Sequence, residues 1–200
     1  MPRLKPPIEV HGLIAATENM PSGTAQRPGD IVRAMNGLTI EIGNTDAEGR
    51  LTLADALAYA AAEIKPDELI DLATLTGAVV IALGQGISGV MASRDGLAER
   101  VLAAARAAGE PMWRLPLHEE YKDGLKSDVA DLNNVSSQRG AGAIVAALFM
   151  RDFTGGVPWA HLDIAGTAFT EREHALGPKG ATGVAVRTLL NYLSALGGQR

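Results

Sequence analysis

The sequence contains no cysteine, which excludes disulfide frameworks and thiolate metal sites; a metal centre here must use oxygen or imidazole ligands. It has no run of about 18 uninterrupted apolar residues, and no apolar leader core follows Met1-Pro2-Arg3-Leu4-Lys5. No membrane partner is expected, and a cytoplasmic location is the default. Basic residues are not in excess either. With 18 Lys and Arg against 23 Asp and Glu, the net charge of -5 gives no electrostatic pull toward nucleic acid or an anionic membrane, so small or neutral ligands are the expected partners. Internal repeats and low-complexity tracts are also lacking. What is present is an apolar fraction of 46% with 20% charged residues, enough over 200 positions to build a compact domain with a real core.

Residues Ile8 to Ala16 are rich in apolar and β-branched types without a helical period, which predicts a buried strand. The turn-rich stretch Glu18 to Asp30 predicts an ordered surface loop. Asn36-Gly37, flanked by Ile31 to Met35 and Leu38 to Ile42, predicts an antiparallel hairpin. Leu53, Leu57, Ala61 and Ile64 recur at helical spacing until Pro66, so a polar loop over Asn44 to Arg50 should feed a helix over Leu51 to Ile64.

Further strands are expected at Leu69 to Leu75, Ile87 to Ala92 and Trp159 to Ile164. Helices are expected over Leu97 to Ala108, Gly140 to Phe153 and Gly183 to Leu196. The stretch TGAVVIALG fits either state. Strands alternating with helices indicate an α/β fold, a mostly parallel sheet sandwiched by helices.

The residues that carry chemistry lie in Asn44-Thr45-Asp46-Ala47-Glu48-Gly49-Arg50. Two carboxylates stand two residues apart, with an arginine two further on. In an extended or looped backbone such side chains point the same way, so the three charged groups should converge. Paired carboxylates hold divalent cations, and a guanidinium binds a carboxylate, bicarbonate or developing oxyanion. The same string also fits a solvated face or a helix N-terminus, where acids favour the macrodipole.

NTDAEGRL, together with ATENMPSGTAQRPGDIV upstream and DLATLTGA, KSDVADLNN and WAHLDIAGTA downstream, resembles the cytosol leucyl aminopeptidase family over nearly the whole chain. The resemblance implies the second part of a leucyl-aminopeptidase catalytic domain. It further implies a site for two divalent metal ions, zinc, manganese or magnesium, which releases N-terminal residues from peptides inside a homohexamer. Asp46 would bind one metal and Glu48 would bridge both, while Arg50 would hold a bicarbonate ion acting as general base. Two metals about 3.5–4 Å apart can activate a water, polarise the scissile carbonyl and anchor the free amine. The backbone around Thr74 and Leu75 would bond the substrate. Asn44, Ala47, Thr74 and Ala165 would form an S1 pocket wall suited to leucine-like side chains.

The family also uses two lysines and further aspartates from segments upstream of its ENMPSG region, and Met1 to Thr17 contain no aspartate. The chain therefore reads as a partial catalytic domain over 1–200, a truncated product or an excised piece with an incomplete metal site. It is expected to need self-association to cover exposed surface. The alternative function is a non-catalytic fragment or scaffold.

Several other residues offer site chemistry. Lys5 reads as part of a solvated tail rather than a substitute for a missing lysine. His161 reads as a satisfied core histidine and Asp163 as a backbone-bonding acid. His118-Glu119-Glu120 lacks the second histidine of a helical zinc motif, and Gly84-Gln85-Gly86 is too short for a dinucleotide loop. Gly140-Ala141-Gly142 could meet an anion, but close helix packing is the better explanation of small residues there. DNA binding, known in some family members, is disfavoured by the acidic balance.

Overall fold

The computed structural model describes residues 6–173 and 177–197. Lys5 lies outside the described residues. The chain divides into two compact units, each assembled from stretches far apart in sequence: 13–70 with 116–159, and 1–12 with 71–115 and 160–200. We call them the hairpin unit and the sheet unit.

The hairpin unit starts from β1 (Ile31–Arg33) and β2 (Thr39–Glu41), antiparallel with Val32 opposite Ile40. Residues 34–38 connect them, and the Ala34–Leu38 bond leaves a three-residue loop over 35–37. Gly37 N–H donates to Ala34 O and Ala34 N–H to Leu38 O, both at 2.8 Å, and Gly37 supplies the positive φ of 93° that closes such a loop. β2 then pairs in parallel with β6 (Leu132–Asn133).

Helix α1 (Gly49–Tyr59) runs on through a π turn over Ala60–Ile64 and ends at Lys65, left-handed at φ 55° just before Pro66. Helix α4 (Gly142–Arg151) is apolar almost all round and correspondingly buried, from Val145 through Met150. With Ile40, Ile42, Leu57, Leu125, Leu132 and Phe153 it makes this unit's core.

The sheet unit is built on β4 (Ser88–Ala92), all five residues of which are buried. Helix α3 (Asp95–Ala108) carries the chain from β4 to β5 (Met112–Arg114), which lies parallel to β4 as a βαβ connection requires. α3 buries Leu97, Val101, Ala104 and Ala105 along one stripe and stops at left-handed Gly109 (φ 67°). β7 (Trp159–Asp163) runs antiparallel to β4, with Met91 opposite His161, and separates β4 from β3 (Leu69–Ala73) in the order β3-β7-β4-β5.

TGAVVIALG resolves as α2 (Gly77–Leu83), started by Thr76, whose hydroxyl accepts the Val79 N–H at 3.1 Å. A short antiparallel pair, β8 (Phe169–Thr170) and β9 (Gly180–Ala181), precedes α5 (Val186–Gly197), which packs on α3. Buried Glu110 accepts both the N–H and the hydroxyl of Thr188 in the first turn of α5, at 2.9 and 2.6 Å.

The α/β class is observed, with mixed pairing: β2–β6 and β4–β5 are parallel, whereas β1–β2, β4–β7 and β8–β9 are antiparallel. The strand expected over Ile8 to Ala16 does not form. That stretch is largely exposed, Ile14 to 90%, and Ala16 N–H turns back to Ile14 O at 3.1 Å rather than joining a ladder. Apolar β-branched residues favour a strand only where a neighbour accepts its backbone bonds. No helix among the described residues is long and apolar enough to cross a membrane.

Candidate functional site: a carboxylate turn and two strand ends

After β2 the chain passes buried Ile42 and reaches Gly43, where a side chain has no room. A Cβ there would stand 2.5 Å from Asn133 Oδ1 and 2.8 Å from Val135 Cγ2. Asn44 is extended (φ −149°, ψ 126°), and its Oδ1 accepts the Asp46 N–H at 2.9 Å, which starts a 3₁₀ turn over Thr45–Ala47. Asp46 is exposed and Ala47 buried. Glu48, half-buried and in the helical region, directly precedes α1 without spending its carboxylate on a cap bond.

The expected loop over Asn44 to Arg50 is therefore a 3₁₀ turn running into α1, which begins two residues earlier than the periodicity suggested. This corrects the spacing argument. Residues two apart share a face on extended backbone, not on helical backbone, so sequence spacing alone does not bring Asp46, Glu48 and Arg50 to one point. Both acids instead lie at the N-terminal end of α1, where negative charge is favoured. The Arg50 guanidinium donates from Nη1 to Asn134 O at 2.6 Å and stands 5.9 Å over the Phe149 ring.

Asn134, fully buried, ties this turn together. Its Oδ1 accepts the N–H of Gly43 (2.8 Å) and Asn44 (3.2 Å), while its Nδ2 donates to Asn44 O (2.7 Å) and Ala47 O (3.5 Å). Nothing in the residue pattern singled it out, although it lies in KSDVADLNN, one of the segments that carries the family resemblance.

In the sheet unit, Asp163 plays the matching part. Its Oδ2 accepts the Thr76 hydroxyl at 2.6 Å, and its Oδ1 accepts the N–H of Leu75 (3.3 Å), Ala165 (3.2 Å) and Thr76 (3.5 Å). The expected backbone-bonding role of this aspartate is observed. Its carboxylate binds the segment after β3, with exposed Thr74 and half-buried Leu75, to the segment after β7 that carries half-buried Ala165. His161, also fully buried, is the core histidine expected, and its Nδ1 pairs with Asp71 Oδ1 at 2.6 Å. Burial disfavours its cationic form, but Asp71, through charge and hydrogen bond, and Asp163 outweigh this and raise its pKa.

The expected site residues thus fall into two sets. Asn44, Asp46, Ala47, Glu48 and Arg50 belong to the hairpin unit, and Thr74, Leu75 and Ala165 to the sheet unit. Among the described residues, no group of three or more His, Asp or Glu is placed to hold a metal ion. Asp46 and Glu48 offer hard oxygen donors suited to divalent cations, but two carboxylates fall short of a complete catalytic site, which takes about three protein ligands per metal.

Residues 1–190 match the cytosol aminopeptidase family, catalytic domain. The chain belongs to that family. It is 57% identical over 187 residues to the probable cytosol aminopeptidase of Prochlorococcus marinus (strain MIT 9313), covering 93% of this chain and 38% of that protein. To the probable cytosol aminopeptidase of Synechococcus sp. (strain WH7803) it is 56% identical over 188 residues, covering 94% and 38%. Among solved structures it resembles a mutant of tomato leucine aminopeptidase, with a TM-score of 0.85, 48% identity and coverage of 90% and 34%. It likewise resembles the bottromycin maturation enzyme BotP in complex with Mn, with a TM-score of 0.84, 48% identity and coverage of 90% and 40%. The chain spans 38% of the length of these two curated relatives, and the described residues fold as the matching part of a leucine aminopeptidase.

Proposed function

We propose that this chain supplies part of the active site of a metal-dependent aminopeptidase that releases N-terminal residues, leucine-like ones preferred, from peptides. Asp46 and Glu48 are its metal ligands. The reading rests on one observation: in a chain of this family, the carboxylate-bearing turn is built around a buried side chain rather than left as a solvated loop. The cations that suit these donors are manganese or zinc, two in the complete site, and the working assembly is a cytoplasmic homo-oligomer, a hexamer by family resemblance. Arg50 sits two residues beyond Glu48, where it offers a cationic seat for bicarbonate. Asn44, Ala47, Thr74, Leu75 and Ala165 are its substrate-facing residues.

Because the described residues bring only two carboxylates to the turn, no reaction step is assigned to a metal held by this chain alone. That shortfall favours a second reading, a non-catalytic scaffold that keeps the fold and a weak cation site. Both readings place the cation on Asp46 and Glu48. Titration of Mn²⁺ into the chain, followed by the electron paramagnetic resonance of the free ion, tests this placement. Binding in the wild type that disappears in an Asp46→Ala, Glu48→Ala double variant supports it. Equal binding in both proteins would put the ion elsewhere and reject it.

A further inference from the structure

The side chain and backbone of Asn134 are directed at one ten-residue stretch of chain. Its N–H donates to Glu41 O at 2.9 Å, and its carbonyl accepts Arg50 Nη1 at 2.6 Å. Its amide oxygen takes the N–H of Gly43 and Asn44, and its amide nitrogen gives to Asn44 O and Ala47 O. The amide orientation is fixed by chemistry, since reversing it would set donors against N–H groups and the oxygen against carbonyls. At 0% exposure, water does not compete for these bonds. Gly43 permits the approach, because any Cβ there would collide with Asn133 and Val135.

From this geometry we infer that Asn134 is the positioning residue for the carboxylate turn: it fixes the backbone from which Asp46 and Glu48 project and the carbonyl on which Arg50 is seated. The inference rests on the reading of Asp46 and Glu48 as metal ligands. Residues that hold ligands in place cost about 10–100-fold in metal affinity when removed. A glutamine would not substitute, since one more methylene moves both ends of the amide away from partners set at fixed separation.

The test pairs two measurements on the full chain, for wild type, Asn134→Ala and Asn134→Asp. Amide hydrogen exchange reports whether the turn is held, and Mn²⁺ titration reports whether holding it matters to the site. In Asn134→Ala, exchange over 43–48 should rise at least tenfold while α4 stays protected, and the Mn²⁺ dissociation constant should rise about 10–100-fold. Asn134→Asp keeps the oxygen that accepts the Gly43 and Asn44 N–H groups but puts a second oxygen where the amide nitrogen donates to Asn44 O and Ala47 O. It should show the same loosening near Ala47, and it decides the matter if Asn134→Ala fails to fold.

Unchanged exchange over 43–48 would overturn the inference. A loosened turn with Mn²⁺ affinity within twofold of wild type would also overturn it, leaving the ligand reading intact. Wild-type Mn²⁺ binding that survives Asp46→Ala, Glu48→Ala, or no wild-type binding at all, would overturn the ligand reading itself and this inference with it.

Discussion

His161 Nδ1 and Asp71 Oδ1 lie 2.6 Å apart, the histidine fully buried on β7 and the aspartate almost so on β3. Burial alone would neutralise the imidazole, yet Asp71 and, more weakly, Asp163 keep its folded-state pKa above the ordinary histidine value. A raised pKa means that the folded state binds the proton more tightly than the unfolded chain. Its contribution is fully present below about pH 6.5, the unfolded value, and is lost as pH rises through the folded value. Urea midpoints measured from pH 5.5 to 9 should therefore decline on the alkaline side in the wild type. In His161→Gln that decline should be smaller. Parallel pH profiles for the two proteins would show that the pair does not hold a proton.

Asp163 accepts three N–H groups and one hydroxyl inside the sheet unit, and it is wholly buried. Asp163→Asn turns one acceptor into a donor facing donors, so at least one buried N–H or hydroxyl loses its partner. A cost of about 2–3 kcal/mol is expected, from the penalty of an unsatisfied buried group together with loss of a charge-assisted bond. Guanidinium denaturation measures it. A loss under about 0.5 kcal/mol, the size of an ordinary surface change, would show that the segments after β3 and β7 do not depend on this carboxylate.

How far the sequence predicts these features depends on whether the deciding interaction is local. Asn36-Gly37 specified a hairpin and Gly109 a helix end because each acts through its own φ. The alternation of Trp159, His161 and Asp163 gave a buried strand and, with it, the roles of His161 and Asp163. The direction of β7 against β4 has no local signature, so the mixed pairing was not legible. Ile8 to Ala16 carried a strand pattern without a partner to realise it. At the candidate site, the spacing in NTDAEGR brings side chains to one face only on extended backbone, whereas Asn44 and Asn134 fold the segment into a 3₁₀ turn. Asn134 stands 90 positions from Asn44 in the chain, and only folding brings the two together.

Phe149 packs beside Arg50. It is fully buried, with its ring 5.1 Å from that of Phe153 and 5.9 Å below the guanidinium. Phe149→Ala opens a cavity in an otherwise apolar helix and should cost about 3–5 kcal/mol. It also removes the face on which Arg50 rests. Chemical denaturation gives the stability change, and a value below about 1.5 kcal/mol would mean that the neighbouring core collapses into the space.

The isolated 200-residue chain should show little or no hydrolysis of leucyl-p-nitroanilide, even with manganese or zinc supplied. In two-metal catalysis, activation of water, anchoring of the amine and stabilisation of the oxyanion act as a unit, and losing one partner removes most of the rate enhancement. Among the described residues the donors that converge are too few for one complete metal site, let alone two. Weak cation binding at Asp46 and Glu48 is compatible with that shortfall, because affinity falls with ligand number while catalysis fails altogether. The measurement is initial rate against Mn²⁺ concentration for the wild type and for Asp46→Ala, Glu48→Ala. Equal, near-background rates are the expected outcome. Robust turnover abolished by the double variant would show that other groups complete the site, and that the chain works as a peptidase in its own right.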